Sequence, residues 1–301
     1  MKARHALLLA VVAGAVALVS AAAVVRSAGG PSAGNITGTW TAEPANGKGA
    51  SAGGPLVQLS LSRRRGTQGS AQHSNAVALA ELRGLTADQM GAAASSVSFT
   101  LERDAGRFAF DGSFRGSEGA GHFTFTPRPE FVAAMRGLGY ALDDEKLYSM
   151  AVLDVSREFV RQLDTLGYSR LALDDLLSLR IHGADPAFIR EVKDLGYNHL
   201  PVDDLVSLRI HGATPDFIRQ MQSLGRSRLS AEDLVSLRIH GASPDFVRQL
   251  RELGYERVSA EELVSMRIHG VSPEFVRRVQ ANRGVVSVER LVEMRIHGQE
   301  R

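Results

Sequence analysis

Five histidines recur in one setting. His182, His211, His240, His269 and His297 each stand two residues after an arginine and directly before a glycine, in the tetrapeptide Arg-Ile-His-Gly that begins at Arg180, Arg209, Arg238, Arg267 and Arg295. Imidazoles at regular spacing can hold a metal or gain charge below neutral pH, and an arginine can hold a carboxylate or phosphate. Distance argues against a shared metal. Packed helices lie ~8–10 Å apart, whereas each of two imidazoles on one zinc needs a bond of ~2.0–2.1 Å. A structural role covers the same residues: Gly183, Gly212, Gly241, Gly270 and Gly298 read as helix terminators, and Arg and His in a last turn face the negative end of the helix dipole. On a wheel, Leu263, Val264, Met266 and Ile268 span a broad apolar arc with Arg267 near its middle and His269 opposite. The expectation is a ladder of buried arginines and an outward row of histidines. A buried arginine needs a partner. The acidic pairs Asp174/Asp175, Asp203/Asp204, Glu232/Asp233 and Glu261/Glu262 are the candidates, and exposed helix carbonyl ends are the alternative.

Elsewhere the chemistry is sparse. His73, Asp104, Asp111, Glu118 and His122 are scattered at expected strand ends and read as surface residues. Arg63-Arg64-Arg65, beside Gly66, reads as a solvated loop or strand end rather than a phosphate or lipid-headgroup patch. Asn35-Ile36-Thr37 fits a glycosylation sequon. The glycines of GSEGAG open no helix and so cradle no phosphate. The chain holds no G-x-S-x-G, H-E-x-x-H or G-x-x-x-x-G-K-[ST] pattern. With no cysteine, thiol catalysis and thiolate metal sites are excluded. No catalytic, cofactor-binding or metal-binding residue is assigned, and the chain reads as a non-enzyme.

The elements that position the tetrapeptides repeat. Phe131, Phe159, Phe188, Phe217, Phe246 and Phe275 are spaced by 28 and then four times by 29 residues, a period of stacked supersecondary units. In the unit from Ser243, that serine caps a helix with Pro244 at its first position. Phe246, Val247, Leu250 and Leu253 form its apolar stripe, and Gly254 ends it. Ser259 and Glu262 make a capping box for a second helix, whose apolar set is Leu263, Val264, Met266 and Ile268, and Gly270 ends it. Helices of about ten residues need neighbours to persist.

Before Pro127 the hydrophobic period is two. It predicts strands at Ile36–Ala42 and around Val57, Leu59 and Leu61, then a meander of Val97–Leu101, Arg107–Phe114 and Gly121–Thr126, with a short helix or loop at Ala87–Ala94. The fold class is therefore α+β in two domains. A small antiparallel β-sandwich or partly closed barrel of five or six strands precedes an α-α solenoid of about six 29-residue helical hairpins. The expected boundaries are a signal peptide or N-terminal membrane anchor at 1–26, a Gly/Ala/Ser-rich tether with one strand at 27–55, the β-domain at 56–126 and the helical repeats at 127–301.

Lys2 and Arg4 precede an uncharged apolar run, Ala6 to Val25, of 20 residues, with small residues at Ala21-Ala22-Ala23. Whether cleaved as a signal peptide or kept as an anchor over residues 6–25, it directs the rest out of the cytoplasm, to a periplasm or cell envelope. No later stretch is long and apolar enough for a second span. The 35 basic and 33 acidic residues nearly cancel, leaving a net charge of +2. Their interspersion describes a mixed solvated surface with no nucleic-acid footprint.

The segments GATPDFIRQMQSLG (Gly212–Gly225) and LVSLRIHGASPDFV (Leu234–Val247) resemble the α-helical repeats attached to the C-terminal side of BlaR-type antirepressor metallopeptidases of some bacteria. The resemblance covers roughly Thr126 to Arg301. It implies an extracytoplasmic, non-catalytic module, because the zinc-binding H-E-x-x-H and the several membrane spans of that family have no counterpart here. Three functions are carried forward. The first is a binding or scaffold protein with a protein partner, no cofactor, and membrane contact only through an uncleaved N-terminal segment. The second is a membrane-anchored sensor or regulatory subunit of an envelope signalling system, and the third an enzyme of unknown type in the β-domain.

Overall fold

The computed structural model describes residues 35–45, 54–64, 70–226 and 229–298. The expected signal peptide or anchor at 1–26 lies outside the described residues, as does most of the tether. Seven antiparallel strands form one sheet: β1 (Ile36–Pro44), β2 (Leu56–Arg64), β3 (Ser70–Ala78), β4 (Leu82–Arg83), β5 (Ser95–Arg103), β6 (Gly106–Arg115) and β7 (Glu118–Pro127). Their order is β3-β2-β1-β7-β6-β5-β4, curled into a half-barrel. Of the two architectures expected, a sandwich and a partly closed barrel, the single curled layer matches the second.

One boundary and one strand differ from expectation. The strand placed in the tether is β1, central in the sheet and paired with both β2 and β7, so the β-part begins at Ile36, not at residue 56. Strand β3 was not anticipated, because SAQHSNAVA has almost no apolar alternation. It lies at an edge, and of its inward side chains only Val77 is buried.

Trp40, Phe99, Phe108, Phe110, Phe114, Phe123 and Phe125 fill the concave side. Phe99 stacks on Phe110 at 4.6 Å, and Trp40 meets Phe99 edge-on at 5.2 Å, the offset and T-shaped geometries that ring quadrupoles favour. Gly112 faces Gly121 across β6 and β7, and a Cβ at Gly112 would lie 2.7 Å from the Trp40 ring. The missing side chain lets the indole lie flat there and donate to the Asp111 carbonyl at 3.2 Å. The short helix α1 (Ala87–Gly91) is started by a Thr86/Gln89 capping box.

Twelve helices follow: α2 (Pro129–Gly137), α3 (Asp144–Val152), α4 (Arg157–Thr165), α5 (Leu173–Ile181), α6 (Pro186–Asp194), α7 (Val202–Ile210), α8 (Pro215–Ser223), α9 (Ala231–Ile239), α10 (Pro244–Glu252), α11 (Ala260–Ile268), α12 (Pro273–Arg283) and α13 (Val288–Ile296). Ser156, Asp185, Thr214, Ser243 and Ser272 cap the even-numbered helices from α4 to α12, each accepting the N–H of the phenylalanine three residues on. Ser230/Asp233 and Ser259/Glu262 make capping boxes on α9 and α11.

The even helices from α2 to α12 and the odd helices from α5 to α13 each pack on the next but one, so they form two rows, while α3 packs on β7 of the sheet. Buried pairs such as Leu205/Leu208, Leu234/Leu237 and Leu263/Met266 face Phe217/Ile218 and Phe246/Val247 across the shared core. Two polar ladders lock successive pairs. The tyrosines of the Leu-Gly-Tyr turns donate to carbonyls one pair further on: Tyr140 to Leu171, Tyr168 to Leu200, Tyr197 to Leu229 and Tyr255 to Val286, at 2.8–2.9 Å. Where the turn reads Leu-Gly-Arg, Arg226 donates to Val258 instead. In the opposite direction Lys193, Gln222 and Gln280 reach the carbonyls of Leu166, Leu195 and Leu253, groups that a helix end leaves unpaired.

The sheet and the helices share one core within a single compact unit. Tyr148 of α3 is fully buried against Phe108, Phe123 and Phe125 of the sheet. Asp104, in the turn between β5 and β6, binds Arg157 at the start of α4.

Candidate functional site

The five Arg-Ile-His-Gly copies close α5, α7, α9, α11 and α13. Gly183, Gly212, Gly241, Gly270 and Gly298 all take the left-handed conformation, with φ between 64° and 70°, where a residue without Cβ is least strained. His182, His211, His269 and His297 are exposed and His240 is half-exposed. Among the described residues no group of three His, Asp or Glu comes together as a metal site.

The arginines correct the wheel. Arg209, Arg238, Arg267 and Arg295 are exposed and Arg180 is half-buried. The acidic pairs at the helix starts are not their partners. Each guanidinium instead lies over the phenylalanine of the helix just before it, the first helix of the same hairpin: Arg180 over Phe159 at 5.0 Å, Arg209 over Phe188 at 5.4 Å, Arg238 over Phe217 at 5.0 Å, Arg267 over Phe246 at 5.1 Å and Arg295 over Phe275 at 5.4 Å. The head also lies against the preceding helix end. Arg295 donates to the Gly270 carbonyl at 3.1 Å, and Arg180 to that of Leu153 at 2.9 Å. A long side chain can rest its stem on the apolar arc and keep its charge in water, which is what the wheel, blind to side-chain length, did not capture.

The isoleucines are the second correction. Ile268 was placed in the apolar set of α11, yet Ile181, Ile210, Ile239, Ile268 and Ile296 are 54–59% exposed. Leu263 and Met266, three residues apart, take the core-facing stripe and leave the final turn outside it. The result is one isoleucine per odd-numbered helix from α5 to α13, each between an arginine and a histidine. The apolar residue in every copy of a polar tetrapeptide was the available signal.

The first copy differs. Asp154 occupies the place that Gly183 holds 29 residues later, also at positive φ (54°). Its carboxylate meets Arg180 at 2.9 Å and Arg103 of β5 at 3.6 Å. Here the arginine of the tetrapeptide joins the helices to the sheet.

A cleft of about 630 Å³ opens between the two sheet edges. Its walls include Gln72–Val77 of β3 on one side, Glu81, Leu101 and Arg103 on the other, and the 152–154 turn with the end of α5 across it. Beside the helix α3, Arg63 lies 4.4 Å from the centre of the Tyr148 ring, pairs with Glu145, and is only 10% exposed in its side chain. His73 sits in the middle of β3 with its ring 6.1 Å from that of Tyr148. Arg63 thus stands at a strand end as expected but is not solvated, and His73 was misread as a surface residue at a strand end. Strand alternation turns both inward, and only the packing of α3 on the sheet supplies their partners. Asp104, also read as a surface residue, is held by Arg157; the hydrogen bonds from Arg157 lower its pKa, against the smaller upward push of burial. Asp111, Glu118 and His122 are exposed, and Asn35 accepts a hydrogen bond from Thr126 at 3.2 Å. No protein-family model matches the chain, and no curated protein matches it.

Proposed function

We propose that this chain is a non-catalytic binding or scaffold protein of the cell envelope. In this reading the twelve helices are an α-solenoid of about six 29-residue hairpins, like the repeats of BlaR-type proteins, and their second helices present the contact surface. The observation that carries it is the row of half-exposed isoleucines, Ile181, Ile210, Ile239, Ile268 and Ile296. Isolated exposed apolar residues are ordinary, but a regular row of them beside arginines is the composition of a protein-binding surface. The export signal read in residues 1–26 supports the location, and its retention would make the same module the anchored subunit of a sensor.

The test is a triple substitution, Ile210→Glu, Ile239→Glu and Ile268→Glu, on positions whose exposure spares the core. Proteins retained from envelope extract by the wild-type chain are identified and re-tested in purified form by calorimetry. A purified partner that binds wild type and is lost from a variant of unchanged thermal stability supports the reading. A variant that binds every retained protein as wild type does sinks it.

A further inference from the structure

We infer that the half-barrel takes up an extended polypeptide segment as an added strand along the free edge of β3. The backbone register identifies that edge. Leu79 N–H donates to the Pro55 carbonyl at 2.9 Å, which continues the register Leu56↔Ala78 and Val57↔Val77. Hydrogen-bonded pairs alternate in an antiparallel ladder, so residues 71, 73, 75 and 77 spend their backbone groups on β2. The other face of the ladder agrees. Ala45 N–H donates to the Leu56 carbonyl, which commits residues 56, 58, 60 and 62 of β2 to β1 and leaves 57, 59, 61 and 63 for β3. Gln72, Ser74 and Ala76 therefore point their N–H and C=O groups away from the sheet, and among the described residues β3 is an edge strand with β2 as its one sheet neighbour.

Exposed edges are ordinarily guarded by charge, proline, bulges or shortness. Strand β3, SAQHSNAVA, is nine residues long and contains no Asp, Glu, Lys, Arg or Pro. Its edge also borders a cleft open to solvent: six consecutive residues, Gln72–Val77, line its 630 Å³, a run of ~20 Å at ~3.4 Å per residue. The facing wall is open as well, since β4 pairs only with Thr100 and Leu101 of β5.

These features define the occupant. A strand beside β3 would turn alternate side chains inward, toward Leu61, Leu101, Phe108 and Val152, and the rest toward solvent beside Gln72 and Ser74. Arg103 and Arg180 in the wall are offset by Glu81 and Asp154, so the wall asks for no net charge. The fit is an uncharged segment of about six residues, apolar at every second position, bound by strand addition. The 152–154 turn and the end of α5 also line the cleft, whose volume is about 630 Å³, so a single short segment rather than the sheet of a second copy is the occupant.

The test uses the whole chain, panned against random linear peptides displayed on phage. Enriched peptides are synthesised and titrated onto wild type, Ala76→Pro and Ala76→Val. Proline at 76 removes an outward N–H without touching the β2 ladder, whereas valine keeps it. We expect enriched peptides with period-two apolar patterning, an affinity loss on the order of tenfold or more in A76P, and near wild-type binding in A76V. Hydrogen exchange on wild type guards against misfolding of A76P, because bound peptide must slow the amides of Gln72, Ser74 and Ala76. The inference is overturned by no enrichment, by peptides that bind A76P as well as wild type, by unprotected β3 amides, or by a concentration-dependent dimer of wild type that A76P abolishes.

Discussion

Removing the charge of Asp104 while keeping its shape tests how the sheet is fastened to the helices. Its carboxylate receives the backbone N–H of Arg157 at 2.8 Å, Nε at 2.9 and 3.1 Å, and Nη2 at 2.6 Å. One residue thus caps the first turn of α4 and holds the side chain at its start. Hydrogen bonds to a charged group contribute about 1.5–3 kcal/mol net when shielded. The Arg157 side chain is 41% exposed and that of Asp104 19%, so solvent screening reduces the figure, and Asp104→Asn should cost about 1–2 kcal/mol near neutral pH. The sign of the pH dependence follows from the Asp104 pKa, which the Arg157 hydrogen bonds lower in the folded chain. An aspartate in the unfolded chain titrates near ~3.9. The stabilisation is complete above that value and disappears as pH falls through the lower folded pKa. Urea midpoints of wild type and D104N should therefore differ at about pH 7 and converge toward about pH 2. A cost that is the same at both pH values, or absent at neutral pH, would refute the assignment of the pair as a fastening between the two parts.

The remaining expectations concern the helices. Gly241→Val forces a β-branched residue to positive φ between two neighbouring pairs and should cost ~1–3 kcal/mol. Gly298→Val, where an added Cβ would meet nothing within 4 Å, should cost less than at Gly241, where it would meet the Arg267 guanidinium at 3.4 Å; equal shifts in denaturant midpoint would contradict this. Arg238→Met, now an exposed cation over Phe217 rather than a buried ion pair, should lose ~0.5–1 kcal/mol, and a loss above about 3 kcal/mol would restore the buried reading. Tyr197→Phe deletes the hydroxyl that donates to Leu229 and should cost ~0.5–1.5 kcal/mol by chemical denaturation. Burial raises the pKa of Tyr140, Tyr168, Tyr197 and Tyr255, so the unfolded chain ionises first and stability should fall once pH passes the ordinary value of ~10; replacing all four by Phe should flatten that alkaline decline.

Local chemistry made much of this protein legible from its residues. Serine before proline, glycine after histidine and the phenylalanine spacing marked where the helices start, stop and recur, because caps and terminators act within one turn of the chain. The Phe-rich alternation of β5, β6 and β7 was equally plain, since a half-buried strand writes its burial into every second residue. Tertiary packing decided the rest. Strand β3 carries little hydrophobic signal, because its inward side chains meet α3 and the end of that helix rather than an oily layer. Arg63 and His73 were polar residues in a polar stretch until Tyr148, 75 residues beyond His73 in the chain, came to lie against them. The tetrapeptide shows the division within four residues. Its glycine is determined by its own backbone. Its arginine and isoleucine depend on packing: the phenylalanine of the partner helix receives the guanidinium, and the core-facing stripe stops before the last turn and leaves the isoleucine in solvent.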